Sequence, residues 1–216
     1  LILRSGPPAE ALSALAEETE ARTLFLSRTE GDEPVGLDEL ETRLPEIRSF
    51  EGNRLFHPGR VRNASGGQFR VFTAMWRAMR GADIAPPAPI PTTLRPPAQI
   101  PRSDRLEDWR LGADIGRGGP VLARHCAVGE AAAQARLAAF LEEDLAGYET
   151  GRDRLAADAC SGLSAFLANG EIGIRQCWHA GLHARDMGNP GAEPFLRQLM
   201  CWLSRPCRST GRSCRQ

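Results

Sequence analysis

Two short stretches of this chain carry side chains able to do chemistry. Tyr148, Glu149, Thr150, Gly151, Arg152 and Asp153 form the first, and Cys160, Ser161, Gly162, Leu163 and Ser164 form the second. Small hydroxyl residues at a helix start leave backbone N–H groups free, and those donors attract phosphate together with the helix dipole. Ser161 and Ser164 would each add a hydroxyl. The same residues suit plain N-capping, for which serine is favoured, so spacing alone leaves both readings open. Cys177, His179 and His183 are a further group. Histidines at i and i+4 share a helix face and would offer two nitrogens to a metal. No fourth ligand follows from the spacing, and Cys126 and Cys201 are remote in sequence. Packed or surface side chains are the preferred reading there, and no metal is assigned.

Helices must position these residues. From Gly129 onward, Leu137, Phe140, Leu141, Leu145 and Tyr148 step by three and four, which makes one apolar stripe. Three further helices are predicted over Ser161–Ala168, Ile174–Ala184 and Glu193–Leu203. Val71, Met75, Trp76 and Met79 also follow helical spacing. Residues 1–50 read differently. Leu1–Leu3 is a short apolar run that suits a strand. Pro7 and Pro8 open a helix with Leu12, Leu15 and Ala16 on one face. Thr23–Leu26 has strand length, Leu37–Leu44 suits a short helix, and Glu46–Phe50 alternates like a strand edge. Strand–helix–strand order is the mark of a parallel α/β layer. Seven prolines between residues 81 and 101 make a stiff, extended connector.

Composition bounds the function. The 216 residues are 42 % hydrophobic and 25 % charged, which is ordinary for a folded chain. No run approaches the ~20 apolar residues of a membrane helix, so no membrane partner is expected. Net charge is zero, which argues against a globally basic nucleic-acid coat protein. All 27 basic residues are arginine, a pattern of GC-rich coding rather than a physical requirement. Residues 1–50 hold eleven acids against five arginines, and residues 51–80 hold one acid against six. Two surfaces with different partners would explain that, as would two solvated faces. The six cysteines lack a C-x-x-C and no secretory leader precedes them, so they read as reduced cytoplasmic thiols. Leu1 in place of a methionine points to a true start upstream.

Leu3–Pro8, Arg70–Trp76, Gly129-Glu130 with Phe140-Leu141, Tyr148 with Arg152-Asp153, Cys160–Ile172, Arg175–Trp178 and Phe195–Leu199 follow one another along the chain, and on these pieces the stretch from Ile2 to about Met200 resembles the DNA photolyase/cryptochrome family, with bacterial class I photolyases as the nearest likeness. Leu3-Arg4-Ser5-Gly6-Pro7-Pro8 is similar to the family's L-R-x-G-x-P, and Arg70–Trp76 to its Y-x-V-F-T-P-F-W segment. Gly129-Glu130 followed by Phe140-Leu141 resembles its G-E helix. Tyr148, Arg152-Asp153 and the run from Cys160 to Ile172 resemble Y-x-x-x-R-D…T-S-x-L-S-x-x-L-x-x-G-E-I. Arg175-Gln176-x-Trp178 and Phe195–Leu199 continue in register. The pieces share order and spacing over nearly the whole chain.

The resemblance implies a partial α/β domain (a parallel sheet with helices, residues 1–80), a Pro-rich connector (81–128) and the first part of an all-α FAD-binding region (129–200). It implies FAD as cofactor and light-driven electron transfer to a pyrimidine dimer flipped out of DNA. Tyr148, Cys160, Ser161, Gly162, Leu163 and Ser164 would contact FAD. Arg152 would reach a DNA phosphate and Gln198 the damaged base, and none of these residues is assigned a catalytic role. A folate or deazaflavin antenna belongs to the same resemblance, but residues 27–36 depart from the antenna-adjacent pattern. Cys160 stands where the family has Thr, Gly162 where it has Arg, and Gln198 where many members have Glu. Residues 201–216 hold four arginines, three cysteines and no acid, and read as a non-family tail, as from a frameshift. The family's first strands and its second helical half, with its tryptophan chain, are not matched. The competing class is a cryptochrome-like photosensor. For these 216 residues alone, a monomeric fragment with neither activity is expected.

Overall fold

The first helix begins where its prolines permit. Pro8 occupies the opening turn of α1 (Pro8–Thr19), where a missing N–H costs nothing. Glu20 closes it in the left-handed region, φ 53°, with its N–H on the Ala16 and Glu17 carbonyls. The computed structural model describes residues 1–28, 40, 43–52, 54–56, 61–67, 69, 71–154, 156 and 159–204, leaving aside the side chains of 28, 51 and 201–204. Two units emerge, one from Leu1–Gly52 with Pro89–Cys126, the other from Asn53–Ala88 with Ala127–Gln216.

In the first unit, β1 (Thr23–Arg28) runs parallel to β2 (Glu46–Glu51), with Thr23 opposite Glu46 and Arg28 opposite Glu51. Alternation divides the two faces. Leu24 and Ile47 join Leu12 and Ala16 of α1 around the buried Ala9, Leu40 and Leu44. On the other face Phe25 stacks on Phe50 with centroids 6.2 Å apart, and the Arg48 guanidinium lies 5.8 Å from the Phe25 ring. The expected helix over Leu37–Leu44 lies mostly outside the described residues.

The expected strand at Leu1–Leu3 does not form. The Leu3 N–H donates to Ser103 Oγ at 3.0 Å, and its carbonyl accepts from the Asp104 N–H at 2.8 Å. One side chain and one isolated backbone bond take up the groups that a sheet ladder would use. The Ser5 N–H donates to Asp104 Oδ2 at 2.8 Å, and Trp109 Nε1 reaches the same oxygen at 3.3 Å. The bonds from Ser5, joined by Trp109, hold the Asp104 carboxyl below its ordinary range. After the proline-rich stretch come two single turns, Leu106–Trp109 and Ala113–Ile115, and α3 (Gly118–His125). The units group the chain differently from the sequence reading. Residues 53–88 go with the helices, and 89–126 with the α/β layer.

The second unit holds α2 (Phe72–Met79), α4 (Glu130–Ala139), α5 (Tyr148–Gly151), α6 (Ser164–Ala168), α7 (Ile174–Asp186) and α8 (Ala192–Ser204). Leu137, Phe140, Leu145 and Tyr148 are buried, as the stripe requires. The helix beneath them changes gauge, however. A π-turn at Phe140–Asp144 and a 3-10 turn at Leu145–Gly147 join α4 to α5, a local adjustment often found beside sites. Trp178 of α7 lies edge-on to Trp76 of α2 at 6.5 Å, and Phe195 of α8 contacts Phe140 at 5.0 Å and Tyr148 at 5.9 Å.

Two glycines set the close approaches. A Cβ on Gly181 would stand 2.8 Å from Leu196 Cδ2, so α7 and α8 meet without a side chain between them at that point. A Cβ on Gly191 would fall 1.6 Å from the Leu145 carbonyl oxygen, so that backbone approach admits no side chain at all. Asn189 Oδ1 accepts the Gly191 N–H at 3.0 Å and holds the loop in place. α8 runs on through Ser204, and the remainder of the 201–216 segment lies outside the described residues.

Candidate functional site

The π-turn and the short α5 bring the Tyr148 stretch against the 160–164 turn and α8. Between them opens a cleft of about 330 Å³. Tyr148, Arg152, Cys160, Ser161, Gly162, Ser164 and Gln198 all line it. Leu163, the remaining candidate from the sequence, turns away and is 1 % exposed in the core.

Arg152 is the hub of the cleft. Its Nη1 donates to Gln198 Oε1 at 3.3 Å, its guanidinium carbon stands 5.8 Å from the Tyr148 ring centre, and its Nε lies 3.7 Å from Asp153 Oδ1. That Nε is buried and has no hydrogen-bond partner among the described residues. The Asp153 carboxylate therefore meets it as an ion pair rather than as a hydrogen bond. Tyr148 is buried between Phe140 and Phe195. Burial pushes its phenol above the ordinary tyrosine range, with Arg152 pulling the other way, so the hydroxyl stays neutral.

The capping alternative for the serines does not hold. α6 starts at Ser164, its N-cap is Leu163, and no side chain caps it. The expected start at Ser161 is therefore three residues early. Ser161 Oγ is 3.5 Å from the Leu163 N–H, at the limit of a hydrogen bond, and the Ser164 hydroxyl has no partner among the described residues. The helix is five residues long, too short for its dipole to dominate. Arg152, the two hydroxyls and the Ser161 and Gly162 N–H groups, which have no partner among the described residues, are the donors that remain. Cys160 is exposed, its Sγ 3.8 Å from the Arg152 carbonyl.

Two partners of the site were not visible in the sequence. Arg136 of α4 donates from Nε to the Ser161 carbonyl at 2.9 Å and from Nη2 to the Cys160 carbonyl at 2.7 Å, and it pairs with Asp144 Oδ2 at 3.2 Å. It brings a cation beside Gly162. Glu171 Oε1 accepts the Gly129 N–H at 2.9 Å, tying the start of α4 to the loop before α7. Both ends of that bond lie in the motifs singled out above, yet no spacing rule says that they meet. The Cys177–His183 group behaves as packing. Cys177 is fully buried, and burial pushes its thiol up to about 12. His179 Nε2 lies 3.0 Å from the Ile84 carbonyl, so the tautomer protonated there donates to it. Among the described residues no three metal-ligating side chains converge.

Residues 1–95 match the sequence model of the DNA photolyase family. A deoxyribodipyrimidine photo-lyase of Agrobacterium fabrum is 36 % identical over 83 % of this chain and 39 % of its own length. One from Streptomyces griseus is 31 % identical over 92 % of this chain and 43 % of its own length. A crystal structure of a bacterial class III photolyase from Agrobacterium tumefaciens superposes with a TM-score of 0.83 at 33 % identity, covering 94 % of this chain and 43 % of that one. A Synechocystis cryptochrome, at 19 % identity and a TM-score of 0.74, shares the fold. The chain thus spans about two fifths of the length of these relatives. Among the described residues no helix is long and apolar enough to cross a membrane. By sequence and by backbone, the chain is a partial-length relative of the DNA photolyases.

Proposed function

We propose that the helical unit forms one wall of an FAD site, in a protein that repairs pyrimidine dimers in DNA with light. The observation that carries this reading is the cleft itself. The Tyr148 stretch and the 160–164 turn share one surface with Gln198, which is remote from both in sequence. The donors fit the cofactor in kind. Serine hydroxyls without caps to make suit a pyrophosphate. Phe195 and Leu199 supply apolar wall.

In this reading the flavin, when bound, supplies light-driven one-electron chemistry to the dimer. The chain's own residues bind and orient. Ser161, Ser164 and the backbone of the 160–164 turn face the phosphates. Tyr148, held neutral by burial, offers a ring wall without a competing negative charge. Arg152 exchanges its weak bond to Gln198 for a DNA phosphate, a charge-assisted contact and the stronger of the two. Gln198 then frees its amide for hydrogen bonds to the damaged base. The protein acts as a monomer in the cytoplasm, where DNA is within reach. An antenna chromophore is not part of the proposal, since residues 29–36 of the antenna-adjacent segment lie outside the described residues.

The test is visible absorbance of the purified chain after FAD is added and free flavin removed. Retained flavin with structured absorption supports the wall, and light-dependent repair of a dimer-containing oligonucleotide then separates lyase from photosensor. A colourless, soluble protein would overturn the reading for this chain.

A further inference from the structure

We propose that Arg136 is a positioning residue, which aims two backbone N–H groups of the 160–164 turn into the cleft. The proposal rests on the reading of that cleft as a phosphate-bearing cofactor's wall. Arg136 Nη2 holds the Cys160 carbonyl at 2.7 Å and its Nε holds the Ser161 carbonyl at 2.9 Å. In a trans peptide the carbonyl and the following N–H point in opposite directions. The two carbonyls face Arg136, so the Ser161 and Gly162 N–H groups on the same peptide planes face the other way. Ser161 and Gly162 line the cleft. Neither N–H has a hydrogen-bond partner among the described residues. Successive free N–H groups of this kind make an anion-binding concavity.

Among the described residues the other polar contacts of the turn are long, Ser161 Oγ to the Leu163 N–H at 3.5 Å and Cys160 Sγ to the Arg152 carbonyl at 3.8 Å. The short helix after it has no side-chain cap. Gly162 adopts φ +66°, a left-handed conformation that favours glycine. A Cβ there would stand 2.9 Å from Arg136 Nε, so the arginine occupies the space that a side chain would take. Asp144, delivered by the π-turn, pairs with the same guanidinium at 3.2 Å. That pairing neutralises the arginine and marks it as a clamp rather than a direct anion receptor.

The experiment compares the 216-residue protein with Arg136→Gln and Arg136→Lys. It reads NMR order parameters of the backbone amides, amide exchange in α7, and the affinities for FAD and for riboflavin, which has no phosphate. Arg136→Gln is expected to lower the backbone order parameters of residues 160–163 from about 0.85 to below about 0.6 while the amides of α7 keep their protection. It is expected to weaken FAD about tenfold or more and to leave riboflavin unchanged, so the FAD-to-riboflavin ratio falls. Arg136→Lys, which keeps the charge and one donor direction, is expected to recover part of both. Equal FAD affinity in wild type and Arg136→Gln overturns the proposal. So does a parallel loss of FAD and riboflavin with α7 deprotected, which is the signature of a merely structural arginine. If the wild type binds neither flavin, the reading of the cleft fails. Arg136 is then judged by the order parameters alone, and unchanged values at 160–163 overturn its role as well.

Discussion

The helical unit and the α/β unit keep their shape by different means. The helical unit buries Trp76, Phe140, Trp178 and Phe195 in one continuous core reaching from α2 to α8. The α/β unit closes its core around Ala9, Leu40 and Leu44, and leaves Phe25 61 % and Phe50 54 % exposed. Parallel sheets usually have both faces covered, and here one described face carries bare aromatics. What the α/β unit lacks in packing it partly recovers through polar ties, chiefly Asp104 to the Leu3–Ser5 segment. The candidate cleft sits on the unit whose backbone is held by packing, as positioning to a fraction of an ångström requires.

Core substitutions should break this contrast most sharply. Phe195→Ala removes a ring held between Phe140 and Tyr148, and is expected to destabilise the helical unit by about 4 kcal/mol. Gly191→Ala forces a methyl into the Leu145 carbonyl and should cost about 3 kcal/mol. Leu40→Ala, in the thinner core, should cost about 2 kcal/mol. Denaturant unfolding followed by amide exchange in each unit checks all three. A loss at Leu40 equal to that at Phe195 would erase the distinction.

The helices α7 and α8 and the paired strands were legible because each has a full period of apolar residues and clear ends. The cleft was legible only through family motifs, since Tyr148, Ser161 and Gln198 share no local spacing. Three features were hidden for physical reasons. The Leu1–Leu3 run has strand composition, but a strand needs a partner, and Ser103 and Asp104 took its polar groups. The π-turn keeps the same apolar stripe that an unbroken helix would show. The role of Arg136 depends on two carbonyls some two dozen residues away, which no pattern of side chains records.

The pH response should sharpen the comparison further, since the two units fail at opposite ends. The Asp104 carboxyl is depressed, so its stabilising effect is present above the ordinary carboxylate range and is lost as pH falls through its lower folded value. Loss of Ser5 N–H protection, taken relative to the intrinsic exchange rate at each pH, as pH falls below the ordinary carboxylate range is the expected sign. The Cys177 thiol is raised to about 12. Its contribution is complete below the ordinary thiol range and fades as pH rises from there toward 12. The helical unit should therefore loosen in alkali while the tie at Asp104 holds. The smallest effect concerns labelling. At pH 8 an alkylating reagent should modify exposed Cys160 and Cys126 and spare buried Cys177. Mass spectrometry of the native protein would read this directly, and rapid labelling of Cys177 would contradict a closed helical core.

The bond between Leu3 and Ser103 spans 100 residues, and this has a consequence for the order in which the protein is made. At about 5–20 residues per second, the anchor leaves the ribosome on the order of 5–20 s after the segment it must hold. During that interval residues 53–88, which belong to the other unit, are also delivered. The nascent α1 and β1 therefore pass that interval with the Leu3–Ser5 segment not yet tied to Ser103 and Asp104.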